Sequence, residues 1–156
     1  MSSIHIRRGN AADLAAVHDL VRELAIYEKA EDALTATVED YERDFAAGVF
    51  ECIVAEDKGQ IVGMCLYYLT YSTWKGRMLY LEDFVVNNAY RRTGLGQRLF
   101  DALQIRAVEL ECRLMKWQVL DWNEPAVRFY EKNEAIIEKE WWNGKLFLKM
   151  SKNQDL

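Results

Sequence analysis

The segment from Tyr80 to Phe100 restricts the fold of this chain more than any other. In it, an apolar run typical of a β-strand leads through the loop Arg91–Gly96 directly into a helical pattern. Gly94 and Gly96 carry no Cβ, so backbone N–H groups can crowd together in the loop. The first turn of the helix adds roughly half a positive charge. The segment therefore predicts a strand–loop–helix unit that binds an anion such as a pyrophosphate, with two arginines at its mouth.

Three loop types bind phosphate groups in this setting, and their residue requirements differ. The dinucleotide-binding loop needs a third glycine where Leu99 stands, and the Walker loop needs a lysine where Gln97 follows Gly96. The residues from Arg91 to Gly96 instead follow R/Q-x-x-G-x-G/A, and so resemble the acetyl-CoA loop of the GNAT N-acetyltransferase superfamily. For this hexapeptide alone, a glycine-capped helix start beside surface arginines remains the alternative.

Hydrophobic periodicity and turn signals divide the rest of the chain into strands and helices. The predicted strands are Ser3–Arg7, Phe50–Ala55, Gln60–Tyr71, Met78–Val86, Leu114–Leu120 and Lys145–Met150. The predicted helices are one capped by Asn10 with Asp13, one capped by Thr37 with Asp40 and ended by Gly48, one over Gly94–Glu111, and one from about Asn123 to Lys132 with Pro125 in its first turn. Lys58-Gly59 marks a hairpin. The order β-α-α-β-β-β-α-β-α-β-β predicts a mixed α/β sheet.

The length and the net charge of the chain limit which partners it can have. Its 156 residues fit one domain, and its formal net charge is −5. An acidic surface repels nucleic-acid phosphates and suits a cationic substrate, so we expect no nucleic-acid partner. No apolar run approaches the ~18 residues that cross a membrane. The first ten residues also lack the pattern of a signal peptide. We therefore expect a cytoplasmic protein without a membrane partner.

The cysteines and histidines argue against metal and triad chemistry. Cys52, Cys65 and Cys112 form no CxxC pair, which favours reduced, buried thiols. His5 and His18 both lie near the N-terminus, far in sequence from any serine or cysteine nucleophile context. Zinc sites and histidine-based triads are therefore not expected, and we predict no metal.

A second motif follows the glycine loop at the spacing of one helix and one strand. The run from Asp121 to Pro125 leads into Phe129-Tyr130, with Asn123, Ala126 and Tyr130 at positions that resemble the N-x-x-A-x-x-F-Y helix of the GNAT superfamily. With both motifs in order, the chain is identified as a member of that superfamily. The resemblance implies a mostly antiparallel twisted sheet flanked by helices. It also implies a single N-acetyltransferase domain over residues 1–156.

Further segments narrow the resemblance to one family within the superfamily. Glu23–Glu28, Tyr80–Asp83 and Trp122–Pro125 resemble the spermidine/spermine (diamine) N-acetyltransferases. Tyr71–Arg77 is most similar to the branch of that family that acts on thialysine, a lysine analogue with sulfur in its side chain. The polyamine branch has an aspartate where this chain has Ser72, so one carboxylate partner for a long polyamine is missing. We therefore expect a small, lysine-like amine as the preferred substrate.

The resemblance implies roles for individual residues. Tyr130 would be the general acid, and Glu82 would help to deprotonate the amine. The implied amine site consists of Tyr27, Glu28, Ser72, Trp74, Glu82 and Asp83. The implied cofactor site consists of Phe84, Val85, Val86, Arg91, Arg92, Thr93, Gly94, Leu95, Gly96, Gln97, Asn123, Pro125 and Tyr130. It further implies acetyl-CoA as cosubstrate, no metal, and a homodimer.

Elementary chemistry refines the roles of two of these residues. Side chains alternate along a strand, so at most one of Glu82 and Asp83 is expected to point straight into the cleft. We favour Glu82, acting through a water molecule. Backbone N–H groups near Val85 and Val86 could polarise the carbonyl of the acetyl group.

One departure from the superfamily pattern concerns the end of the last predicted helix. Asn133-Glu134 stand where a glycine is usual. Because asparagine tolerates the left-handed conformation, we expect the cap to move one residue earlier, to Asn133.

Two classes of function remain open at this point. One is an enzyme that acetylates a small primary amine, with protein or peptide N-acetylation as a rival within the enzyme class. The other is a non-catalytic acyl-CoA-binding sensor on the same fold. The presence of both Tyr130 and Glu82 favours the enzyme.

Tyr130→Phe tests the proton-donor role of this hydroxyl. We expect kcat to fall about 10²-fold or more, with the affinity for acetyl-CoA nearly unchanged, because only the proton for the leaving sulfur is lost. Steady-state rates within twofold of the parent would make Tyr130 a packing residue.

Overall fold

The computed structural model describes residues 3–149, which form two compact units. The first unit extends to Gln118 and the second begins at Val119. The elements of the first unit are β1 (Ile4–Arg8), α1 (Leu14–Tyr27), α2 (Val38–Ala46), β2 (Glu51–Asp57), β3 (Gln60–Ser72), β4 (Gly76–Val86), α3 (Leu95–Glu109) and β5 (Leu114–Lys116). The second unit contains α4 (Glu124–Lys132). No helix among the described residues has the length and apolar content needed to span a membrane.

A five-stranded sheet with the order β1-β2-β3-β4-β5 forms the centre of the first unit. The first four strands pair antiparallel, and β5 pairs parallel to β4. The β4–β5 ladder is short, since it covers only Met78–Tyr80 on β4. From Leu81 onward, the edge of β4 that faced β5 therefore has no ladder partner in the described part of the chain. In this stretch the Val86 carbonyl accepts a hydrogen bond from Nε of Arg91.

Each face of the sheet is covered by helix. On one face, α1 contributes Val17 and Leu20 to a buried apolar cluster with Met64, Leu66 and Val85. On the other face α3 lies so close to β3 that a Cβ on Gly63 would be 3.0 Å from Cδ1 of Leu99. Glycine allows this close approach, because a side chain here would force the Leu99 side chain to shift. The mixed, mostly antiparallel sheet with flanking helices is the predicted fold class.

Local sequence signals set the helix starts and the hairpin as predicted. Asn10 with Asp13 and Thr37 with Asp40 both form complete capping boxes. The hairpin turn between β2 and β3 has positive φ at Lys58 and at Gly59. The three cysteines are free, with Cys52 and Cys65 buried and Cys112 half-buried.

Two strand predictions are wrong: the fifth strand is shorter than predicted, and the described residues after α4 form no strand. β5 ends at Lys116 rather than at Leu120, because its partner β4 turns away beyond Tyr80. The order also included two strands after the last helix, one of them over 145–150. Residues 133–149 contain no strand, and Met150 lies outside the described residues. The side chains of Leu146, Phe147 and Leu148 are at least 80% exposed. The segment therefore lacks the burial on which a strand of this composition depends.

The end of α4 also differs from the prediction. Asn133 is not left-handed, since its φ is −89°, and the positive φ of 67° falls on Glu134. The side-chain amide of Asn133 donates to the carbonyl of Phe129 at 2.9 Å, which holds Asn133 in the last turn. The left-handed residue therefore occupies the position next along the chain, without the glycine that would adopt it at no steric cost.

Candidate active site

A β-bulge on β4 determines the geometry of the candidate site. In the β3–β4 ladder, Tyr67 pairs with Leu81 and Leu66 pairs with Asp83, so Glu82 is an extra residue. Leu66 belongs to the apolar cluster under α1, and paired residues share a face, so Asp83 lies on the α1 face. A bulge re-aims a side chain and interrupts the alternation. The expectation that alternation separates Glu82 and Asp83 is therefore wrong.

Contacts of Glu82 place it on the same face as Asp83. The Tyr68 hydroxyl donates to Oε1 of Glu82 at 2.6 Å. Tyr68 pairs with Tyr80 in the ladder, and their rings stack at 5.5 Å between centroids. Burial together with the bond to the Glu82 carboxylate raises the pKa of the Tyr68 phenol, so this phenol stays protonated and continues to donate. The two tyrosines thus hold the Glu82 carboxylate in one orientation.

Asp83 is a half-buried carboxyl group whose charge has no partner. It makes no hydrogen bond and no ion pair within residues 3–149, and burial is the largest cause of its raised pKa. The negative charges of Glu82 and Glu28 add to that effect and bring the pKa of Asp83 to about 7. Both oxygens keep contact with solvent, because no buried side-chain oxygen in this part of the chain lacks a partner. Asp83 can therefore exchange a proton at neutral pH.

Glu28 is the third carboxylate of this cluster. It is the C-terminal cap residue of α1, is half-buried, and burial raises its pKa. No Lys or Arg forms an ion pair with Glu28, Glu82 or Asp83 among the described residues; the ion pairs there lie elsewhere on the surface. A cluster of three carboxylates without a cation of its own is suited to a cationic ligand.

The loop between β4 and α3 has the predicted anion-binding features. Gly94 caps α3 with a left-handed φ of 85°, and a Cβ built there would meet no protein atom within 4 Å. A Cβ on Gly96 would meet only Phe84 and Val86, at 3.8 and 3.9 Å. The space in front of the helix N-terminus is therefore open, and the first-turn N–H groups have no intrahelical acceptors. An anionic group of the size of a pyrophosphate fits these residues.

Arg91 connects this loop to α1. Its guanidinium lies 5.5 Å from the ring centroid of Tyr27, and its Nε donates to the Val86 carbonyl at 3.4 Å. A cation over an aromatic face is attracted by the ring quadrupole. The end of α1 therefore faces both parts of the site, with Tyr27 beside the loop and Glu28 beside Asp83.

Two residues predicted for the amine site lie apart from the carboxylates. Ser72 and Trp74 form the hairpin turn between β3 and β4, where the Ser72 hydroxyl accepts from the Lys75 N–H at 3.1 Å. Six residues of β4 separate this turn from Glu82, a distance of roughly 20 Å along a strand. Trp74 is 86% exposed. Within one chain the structure does not bring Ser72 or Trp74 to the carboxylate cluster.

The remaining predicted residues belong to the second unit. Oδ1 of Asn123 accepts from the Ala126 N–H at 3.4 Å and caps α4, and Pro125 occupies its first turn. Tyr130 is buried, and its ring meets Phe129 edge-on at 5.5 Å. Asn123 and Pro125 thus start the helix that carries Tyr130.

Sequence reasoning missed the tyrosines around the carboxylates. Tyr68 and Tyr80 could have been found from the hairpin register, since paired residues share a face. Tyr41 on α2 had no such signal, because only tertiary packing brings α2 to this face. As for metals, no group of three or more His, Cys, Asp or Glu within residues 3–149 is arranged to hold an ion.

The pairing of β4 with β5 ends early, and β4 leads into the glycine-capped helix α3. This geometry is typical of an acyltransferase of the GNAT type. The chain belongs to the acetyltransferase (GNAT) family, whose model matches residues 14–134. It is an N-acetyltransferase, and the resemblance to the diamine and thialysine enzymes is confirmed by its curated relatives.

The relatives cover most of this chain. It is 36% identical to the thialysine N-epsilon-acetyltransferase of Sus scrofa over 92% of both chains. It is 33% identical to the human spermidine/spermine N(1)-acetyltransferase-like protein 1 over 92% of its own length, but spans only 22% of that longer protein. Among solved structures, an aminoglycoside acetyltransferase from a soil metagenome superposes with a TM-score of 0.79, at 20% identity and over 95% and 98% of the two chains. The last comparison bears on the fold alone.

Asp83→Asn should change how stability depends on pH. The folded pKa of Asp83, about 7, exceeds the ordinary value of 3.8, so the folded state holds its proton longer than the unfolded state does. Stability is therefore lost as pH rises through this range, and we expect the parent to lose about 1 kcal/mol between pH 6.0 and 8.5 from this group. The asparagine variant should lack that loss and melt a few degrees higher at pH 8.5.

Urea unfolding of both proteins at the two pH values measures this difference. Asp101→Asn, at an exposed position on α3, is the matched control. A parent and an Asp83→Asn variant with the same pH dependence would show that Asp83 is ionised normally.

Proposed function

We propose that this enzyme transfers the acetyl group of acetyl-CoA directly to a primary amine of a small cationic molecule. The observation that carries the proposal is the cluster of Glu28, Glu82 and Asp83, which has no ion-pair partner within residues 3–149. Two of its members, Glu82 and Asp83, lie on the strand that leads into the proposed anion-binding loop. One part of the site thus attracts a cation and the other an anion. The two substrates carry matching charges: the acetyl acceptor is an ammonium cation, and the acyl donor carries an anionic pyrophosphate.

The donor site is built from β4 and the start of α3. The N–H groups of the Gly94–Gly96 loop, together with Arg91 and Arg92, suit the pyrophosphate of acetyl-CoA. Residues Phe84 to Val86 lie beyond the end of the β4–β5 ladder, and in this proposal their backbone N–H and C=O groups bind the amide-containing arm of the same molecule. When bound, acetyl-CoA supplies the acetyl group as an activated thioester.

The acceptor amine must lose its proton before it can attack. An alkylammonium has a pKa of ~10.4, so transfer of its proton to an ordinary aspartate costs about 9 kcal/mol. With the pKa of Asp83 at about 7, the same transfer costs only roughly 4–5 kcal/mol. We therefore assign the proton acceptor to Asp83. Glu82, held by Tyr68, then retains its charge and orients the ammonium.

Tyr130 supplies the proton for the leaving sulfur in this proposal, by resemblance to the superfamily motif. A phenol with a pKa of ~10 donates to a thiolate of ~8.5 at a cost of about 2 kcal/mol, which a transient acid can bear. Asn123 and Pro125 contribute by starting the helix that carries this hydroxyl.

We infer that the preferred acceptor is a compact, lysine-like amine. Ser72 replaces the aspartate of the polyamine branch, and the thialysine enzymes of pig and cattle are both 36% identical to this chain. An exposed ion pair contributes only ~0.2–1 kcal/mol and a hydrogen bond to a charged group ~1.5–3 kcal/mol, so between these limits one missing carboxylate shifts the preference roughly tenfold.

We also propose that residues 1–156 act as one domain and that two copies form a homodimer. Leu69, Tyr71 and Trp74 expose apolar surface at the β3–β4 hairpin, which suits burial against a second copy. A partner chain could thereby bring Ser72 and Trp74 to an amine site that one chain leaves without them. Sedimentation equilibrium should give twice the chain mass of 18.2 kDa. A single-chain mass at micromolar concentration would contradict the dimer.

Release of free thiol from acetyl-CoA tests the proposed function. The acceptors are thialysine, lysine, 1,5-diaminopentane, spermidine and a peptide with a free N-terminus. We expect turnover with thialysine at a kcat/KM about tenfold above that with spermidine. Turnover only with the peptide would favour protein N-acetylation. Binding of acetyl-CoA without turnover of any amine would favour a non-catalytic sensor.

Gly94→Val tests the donor site. Valine disfavours the left-handed φ of 85°, and its branched side chain would fill the space before the helix N-terminus. We expect the affinity for acetyl-CoA, measured by calorimetry, to fall at least tenfold, about 1.4 kcal/mol. Gly48→Val is the matched control, because Gly48 has a φ of 77°, equally open surroundings and a position at the end of α2. Equal affinities for the two folded variants would contradict the assignment.

A further inference from the structure

Tyr41 on α2 lies on the carboxylate side of the sheet, although no motif includes it. The Thr37 capping box fixes the start of the helix, and the Tyr41 N–H donates to the Thr37 carbonyl at 3.1 Å. Tyr41 packs against the apolar cluster that contains Leu66. Leu66 is the ladder partner of Asp83, so Tyr41 and the carboxylates lie on the same face of the sheet, and the charges of Asp83 and Glu82 act on the Tyr41 phenol.

Two aromatic neighbours fix the direction of the Tyr41 ring. His18 meets it edge-on at 5.0 Å between centroids, and Phe50 does so at 6.0 Å. His18 is itself anchored, since its Nε2 lies 2.8 Å from the carbonyl oxygen of Ala36. A ring held between two others, on a capped helix, has little rotational freedom, so its hydroxyl is a preorganised group.

The Tyr41 hydroxyl has no hydrogen-bond partner within residues 3–149, and it keeps contact with solvent, since no buried side-chain oxygen in that range is unsatisfied. Burial of the ring, followed by the charges of Asp83 and Glu82, raises its pKa to about 12. The phenol is therefore neutral at any working pH, and its oxygen can accept a hydrogen bond.

We propose that Tyr41 is a substrate-binding residue that makes the enzyme select primary amines. The inference rests on the proposed function and deepens it. A primary ammonium has three N–H donors, and the pocket then offers three acceptors: the Asp83 carboxylate, the Glu82 carboxylate and the Tyr41 phenol oxygen. An N-methylated amine has one N–H fewer, so one acceptor remains unpaired. The hydroxyl of Tyr41 thus discriminates between the two.

Tyr41→Phe keeps the ring and removes only the hydroxyl. With thialysine we expect KM to rise about tenfold, with kcat within threefold and KM for acetyl-CoA within twofold of the parent. The second substrate is thialysine methylated on its side-chain nitrogen. The preference of the parent for the unmethylated amine, measured as a ratio of kcat/KM values, should fall by a similar factor in the variant. If the parent acetylates only diamines, 1,5-diaminopentane and its N,N′-dimethyl derivative replace the pair.

Tyr67→Phe is the control for a structural hydroxyl. Tyr67 donates to Glu51 at 2.9 Å, and its ladder partner Leu81 precedes the bulge. This variant should melt at a lower temperature and leave the KM for the amine and the methyl preference unchanged.

Each outcome either supports or overturns the inference. A raised KM for the primary amine together with a reduced methyl preference supports it. An active parent with unchanged KM and preference in Tyr41→Phe overturns it and leaves the proposed function intact. Equal KM increases for both amines, with a lower melting temperature, would show a packing role and also overturn it. A parent that acetylates no amine fails the proposed function itself, and this inference with it.

Discussion

The bulge at Glu82 is the feature on which the rest of the site depends. It inserts one residue into β4 opposite the Leu66–Tyr67 step of β3, and the pairing with β5 ends two residues earlier, at Tyr80. Bulges bend a strand and end its pairing. One local irregularity thus gathers two carboxylates on the α1 face, close to the point where the β4–β5 ladder ends.

Charges of opposite sign follow one another along the chain from the second half of β4 to the start of α3. Glu82 and Asp83 at the bulge and Glu28 at the end of α1 have no basic partner within residues 3–149. Burial, with the negative charges of Glu82 and Glu28, raises the pKa of Asp83 to about 7. A few residues further on, Arg91 and the N-terminus of α3 supply positive charge. The arrangement lowers stability at neutral pH, because no cation among the described residues compensates the ionised carboxylates. A bound cationic substrate would supply the missing positive charge. Functional sites often lower the stability of the free protein in this way.

The tyrosines determine how the carboxylates are presented. Tyr68 stacks on Tyr80 and donates to Glu82, so that carboxylate is fixed and charged. Asp83 receives no such bond and is free to gain and lose a proton. Tyr41 approaches from α2 with a neutral hydroxyl. Two neighbouring acidic residues of the same chemistry thereby receive different environments and different roles.

The sequence alone determined the family, the order of the first nine elements and the glycine loop at the start of α3. These features depend on local rules: caps at Asn10 and Thr37, a turn at Lys58-Gly59, and glycines at fixed spacing before a helix. Only the tertiary structure decided that Glu82 and Asp83 share a face, that Ser72 and Trp74 lie a strand's length away, and that Tyr41 lies on the carboxylate side of the sheet. A bulge depends on the register between two strands, and the approach of α2 depends on packing over the sheet. Neither leaves a periodic signal in the residues themselves, because both arise from contacts between segments that are distant along the chain.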